Sequence, residues 1–126
     1  MAKRILIIDD ERDMQVYLSA LFRKAGYEVE VAQNGEEGLK KVGEFRPDLV
    51  TMDLVMPRRS GVIAFEALRS SPETREIPVI VVTGLAQHDE LFRSDAPDLR
   101  PPEAVVEKPI NRERLLETVA GLIGGA

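Results

Sequence analysis

No cysteine occurs in the 126 residues, so the chain has no disulfide framework, no thiolate metal site and no thiol nucleophile. The core of a signal peptide is missing too: Met1-Ala2-Lys3-Arg4 leads directly into a strand-like run, and no later apolar stretch reaches the length that spans a bilayer. These absences predict a cytoplasmic protein without a membrane partner. Clustered positive charge is also lacking. The net charge is -5 and the Lys and Arg residues are scattered, whereas nucleic-acid phosphates are bound by basic side chains gathered on one face, so nucleic acid is not an expected partner. Linkers, internal repeats and low-complexity tracts are absent. With 44% apolar residues to build a core and 31% charged residues to cover it, one domain over residues 1–126 is expected, with no attached output domain.

What the chain does contain is a set of apolar runs, each ending in a polar residue. Leu49-Val50-Thr51-Met52 runs into Asp53, and Pro57 then turns the chain; an apolar run of this kind reads as a strand buried on both faces of a parallel sheet. Arg4-Ile5-Leu6-Ile7-Ile8 ends in Asp9-Asp10-Glu11, followed by Met14, Leu18, Leu21 and Phe22 at helical spacing. Gly26 stops that helix, and Tyr27-Glu28-Val29-Glu30-Val31-Ala32 alternates as an edge strand does. Asn34 with Glu37 opens a second helix with an inner stripe of Leu39, Val42 and Phe45. Ser60-Gly61 precedes a third, with Val62, Phe65 and Leu68 inward. Ile77-Pro78-Val79-Ile80-Val81-Val82-Thr83 is the next buried strand. Pro97, Pro101 and Pro102 predict that a fourth helix is short and leaves irregularly. Ala104-Val105-Val106-Glu107 is a brief fifth strand, and Asn111 caps a last helix with core positions Leu115, Leu116, Val119, Leu122 and Ile123. Strands alternating with helices imply an α/β fold, a doubly wound five-stranded parallel sheet of order 2-1-3-4-5 with helices on both faces.

Parallel strands bring their C-terminal ends to one edge. Asp9, Asp10, Asp53, Thr83 and Lys108 should therefore meet there, although the sequence scatters them. Two carboxylates about 5 Å apart repel by roughly 3 kcal/mol at an effective dielectric near 20, so three of them need a counter-ion. Oxygen ligands on short turns favour Mg2+, and Lys108 adds a fixed positive charge. A carboxylate beside a divalent cation, a hydroxyl and an ammonium group is equipped for phosphoryl transfer, with Asp53 attacking phosphorus in line.

Ile8-Asp9-Asp10-Glu11, Asp53-Leu54-Val55-Met56-Pro57, Val82-Thr83-Gly84 and Glu107-Lys108-Pro109 together resemble the receiver domain of two-component response regulators. The resemblance covers essentially the whole chain and is to the stand-alone, chemotaxis-regulator type. It implies that Asp53 is the phosphoacceptor, that Asp10 and Asp53 ligate Mg2+ with the backbone carbonyl of Val55, and that Asp9 acts through a metal-bound water. It implies further that Thr83 and Lys108 contact the phosphoryl group and that the Lys108-Pro109 bond is cis. The donor would be a phosphohistidine on a sensor histidine kinase or phosphotransfer protein, the output a change of conformation read by a downstream protein, and no small molecule would be turned over.

Two departures from the family pattern carry expectations of their own. Val105 stands three positions before the lysine, where the family commonly has an aromatic residue that turns inward as Thr83 moves, which departs from the usual Thr-aromatic switch. The three prolines between Thr83 and Lys108 also disturb the helix-strand-helix surface, so a non-standard output face is expected. Val55 and Leu85 are apolar at places where polar side chains can position an attacking water, which implies slow self-dephosphorylation. The alternative reading is a degenerate receiver that serves as a phosphorylation-independent interaction module and accepts no phosphate from acetyl phosphate.

Overall fold

The continuous aliphatic runs form the inner strands, and the alternating runs form the edges. The computed structural model describes residues 2–84 and 99–125. Strands β1 (Arg4–Ile8), β3 (Leu49–Met52) and β4 (Val79–Thr83) are buried along their length apart from Arg4, whereas β2 (Glu28–Ala32) and β5 (Ala104–Glu107) alternate covered and exposed positions. All pairings are parallel and the order is β2-β1-β3-β4-β5, as expected.

Successive residues of an inner strand feed two separate cores. Leu6, Ile8, Val50, Met52, Val79 and Val81 pack with Val42 of α2 (Gly35–Phe45) and with Val62, Phe65 and Leu68 of α3 (Ser60–Ser70). Ile5, Ile7, Leu49, Ile80 and Val82 point the other way, against Leu18 and Phe22 of α1 (Arg12–Lys24) and Leu115 and Val119 of α4 (Arg112–Ile123). Each such aliphatic side chain contributes about 1.5–3 kcal/mol on burial, which is why unbroken apolar runs are required in the middle of the sheet. The expected fourth helical stretch, with Leu85 and Pro97, falls outside the described residues.

Helix ends follow local chemistry. Asn34 Oδ1 accepts from Glu37 N–H at 2.8 Å and Asn111 Oδ1 from Arg114 N–H at 3.1 Å, each satisfying a first-turn donor that the helix itself leaves unpaired. Gly26, at φ 99°, takes the left-handed turn after α1, and the N–H of Tyr27 then reaches back to Phe22 O.

The β2 edge is closed by side chains. Carbonyls of Val29 and Val31, facing away from β1, accept from Arg23 of α1 (3.3 Å) and Lys41 of α2 (2.5 Å). At the N-terminal edge of the sheet, Arg69 from the last turn of α3 is buried. Its guanidinium donates to the carbonyls of Arg75, Ile77, Arg100 and Pro101 and pairs with Glu103 at 2.6 Å, while lying over the Phe65 ring. Glu103 also accepts the N–H of Val79 at 2.7 Å, so one ion pair ties α3 to the starts of β4 and β5. On the same edge, Tyr27 OH donates to Gly124 O at 2.9 Å, holding the end of α4.

Candidate functional site

The C-terminal ends of β1, β3 and β5 deliver the charged groups to one rim. Asp9 continues the β1 ladder through its N–H to Ala32 O, and Asp53 does the same for β3 through its N–H to Ile8 O; both residues are buried. Their carboxylates are oriented by backbone donors two residues on: Glu11 N–H to Asp9 Oδ1 and Val55 N–H to Asp53 Oδ1, both 2.8 Å. Such Asx-type turns follow naturally where a strand stops at an aspartate. Gln15 Nε2 donates to Asp9 O at 2.7 Å, fixing the turn from the side of α1.

Lys108 reaches into the rim from the end of β5. Its Nζ lies 3.2 Å from Asp53 Oδ2, 3.2 Å from Glu11 Oε1 and 3.9 Å from Asp9 Oδ2. Its backbone N–H donates to Thr83 O at 2.9 Å, which couples it to the buried Thr83 at the end of β4, and the Lys108-Pro109 bond is cis. Asp10 is exposed beside Asp9, and ligand atoms of Asp9, Asp10 and Asp53 all lie within 4.8 Å of one another. The groups predicted from sequence to share one edge are therefore brought together: Asp9, Asp10, Asp53 and Lys108 as a cluster, with Thr83 joined to it through the backbone. Val55 places its N–H on Asp53 and leaves its side chain half exposed.

The cluster's electrostatics suit a cation. Burial raises the Asp9 pKa from 3.8 to about 6; the Glu11 N–H and the Lys108 charge draw it down, and the charges of Asp53 and Glu11 push it up again. Burial alone would lower Lys108, but Asp53 and Asp9, with hydrogen bonds to Glu11 and Asp53, outweigh it and the lysine ends above its ordinary value. One ammonium group thus does not neutralise the site: Asp9 still resists ionisation. Three carboxylates with hard oxygen donors and residual negative charge fit a small divalent cation.

Two contributors were assigned no role from the sequence. Glu11 stands in the first motif without a part of its own, yet it shares Lys108 with Asp53. Gly61 lets α3 approach the end of β3: a Cβ there would stand 2.4 Å from Asp53 O and 2.9 Å from Leu54 Cα. Val105, in place of the family's usual aromatic, is exposed on β5.

Comparison with known proteins agrees with this geometry. The family model of the response regulator receiver domain matches residues 5–120. The chain belongs to the response regulator receiver family. Among its relatives the receiver is 37% identical to Protein PilH of Pseudomonas aeruginosa over 125 residues, 97% of this chain and 98% of that protein. It is 35% identical to the chemotaxis protein CheY of Thermotoga maritima over 121 residues, 94% of this chain and 96% of that one. In three dimensions the receiver superimposes on the chemotaxis protein CheY4 of Vibrio cholerae with a TM-score of 0.83 at 26% identity, covering 97% and 99% of the two chains. Among the described residues no helix is long and apolar enough to cross a membrane.

Proposed function

We propose that this receiver takes a phosphoryl group onto Asp53 from a phosphohistidine of a sensor histidine kinase or phosphotransfer protein, and that the acyl phosphate controls a downstream protein in the cytoplasm. The observation that carries the reading is the meeting of Lys108 Nζ with Asp53 Oδ2 at 3.2 Å inside a cluster whose carboxylates lie within 4.8 Å of one another. Asp53 is the nucleophile. Its free carboxylate lone pair forms the O–P bond as the N–P bond of the donor breaks, and the imidazole leaves with the electron pair and takes up a proton.

Asp10, Asp53 and the backbone carbonyl of Val55 would hold Mg2+, with Asp9 acting through a water on it. When bound, the cation neutralises charge on the equatorial phosphoryl oxygens. Lys108 contributes a second fixed positive charge at the same oxygens, and Thr83 a hydroxyl for the phosphorylated product. The Val55 N–H, already on Asp53 Oδ1, holds the carboxylate so that Oδ2 is the oxygen turned toward Lys108. The receiver catalyses only its own phosphorylation and dephosphorylation.

The test is acetyl phosphate labelling with and without Mg2+, read on the intact protein by mass. Wild type should gain one phosphoryl group in Mg2+ and none in EDTA, and Asp53→Asn should gain none. Labelling that survives Asp53→Asn would overturn the assignment of the acceptor.

A further inference from the structure

The segment joining β3 to α3 carries two cations on a tight left-handed turn. Arg58 (φ 60°, ψ 24°) and Arg59 (φ 55°, ψ 27°) are consecutive left-handed residues. Glycine, asparagine and aspartate take that conformation readily, and two successive arginines there are unusual. The third left-handed non-glycine residue described, Arg46, caps the C-terminus of α2 and donates its N–H to Val42 O. Arg58 and Arg59 are the central residues of a turn that the N–H of Ser60 closes by donating to Pro57 O. Both are exposed, and neither guanidinium has a hydrogen bond or ion pair among the described residues. The loop that holds them is nonetheless fixed against the acceptor, by buried Met56 on one side and on the other by Gly61, whose Cα packs on the backbone of Asp53 and Leu54.

What surrounds them gives two free cations a use. The rim presents Asp9, Asp10, Glu11 and Asp53, with Lys108 drawn into that cluster, on a chain of net charge -5. An incoming phosphoryl donor is itself an anion, and the acidic rim repels it. Positive charge beside the entrance raises the local concentration of such a donor, and the gain fades as salt screens it.

We propose that Arg58 and Arg59 form an electropositive lip that recruits dianionic phosphoryl donors to Asp53. This rests on Asp53 as the acceptor. The lip acts on encounter and leaves the chemical step to the cluster.

Acetyl phosphate, a dianion, and phosphoramidate, whose net charge is smaller, serve as donors to wild type, to the double variant Arg58→Gly/Arg59→Gly and to Arg58→Lys/Arg59→Lys, all in saturating Mg2+. Glycine suits the left-handed backbone, so the glycine pair should melt no earlier than wild type. Its second-order labelling rate with acetyl phosphate should fall roughly three- to tenfold at low ionic strength. That deficit should shrink with phosphoramidate, vanish in high salt and be absent from the lysine pair. Equal rates for wild type and the glycine pair, or a loss independent of donor and salt, would overturn the lip while leaving Asp53 in place. Failure of wild type to label at all would instead overturn the reading of Asp53.

Discussion

Asp9 is the residue where fold and chemistry pull in opposite directions. It is buried for the sake of the rim, and without a cation that burial opposes its ionisation. With its pKa at about 6 when folded against 3.8 unfolded, the folded state holds the proton more tightly. Its contribution to stability is therefore complete below pH 4 and is lost as pH rises through 6, a swing of about 3 kcal/mol. In EDTA, Asp9→Asn should gain stability over wild type across that window, as measured by urea denaturation at pH 4 and pH 7, and added Mg2+ should narrow the gap at pH 7. A difference that does not change with pH would show that burial leaves the Asp9 pKa where it is in the unfolded chain. Asp9, Asp53 and Lys108 were legible in the sequence because each ends an apolar run, and the position of such a residue is set by the sheet. Glu11 was quoted with its motif, yet its bond to Lys108 depends on a side-chain reach across 97 residues of chain that no local pattern records.

At the scale of elements, the close approach of α3 to β3 is what turns a strand end into a site. Gly61 permits it, and the obstruction a Cβ would meet is backbone, at 2.4 Å, which has little freedom to move aside. Gly61→Ala should cost about 1–3 kcal/mol in thermal or urea unfolding and should slow labelling of the proposed acceptor more than that loss explains, since the displaced atoms belong to Asp53 itself. An unchanged melting temperature would place the helix farther from the strand. Strand and helix identities followed from periodicity: runs buried on both faces became β1, β3 and β4, and the alternating Tyr27–Ala32 stretch became an edge. The approach of α3 to β3 was not legible, because Ser60-Gly61 reads equally well as an ordinary helix start.

For the molecule as a whole, the two edges of the sheet have different duties. Charged groups of reactive character gather at the C-terminal edge, and the N-terminal edge is locked by Arg69 and Glu103. No sequence pattern marks Arg69, because four of its acceptors are backbone carbonyls supplied by loops. Removing one partner of a buried pair leaves the other uncompensated, so Arg69→Met should destabilise by about 3–5 kcal/mol in urea, whereas the paired replacement Arg69→Met/Glu103→Leu should recover part of that loss. Equal losses in the single and double variants would mean that the carbonyl contacts, and not the charge, carry the clamp. The hydrogen bond from Tyr27 to Gly124 lies at this locked edge too. A fluorophore, a surface tether or a fused protein attached beyond α4 would thus leave from the edge of the sheet opposite Asp53, and could be used to immobilise or track the receiver without obstructing the acidic rim.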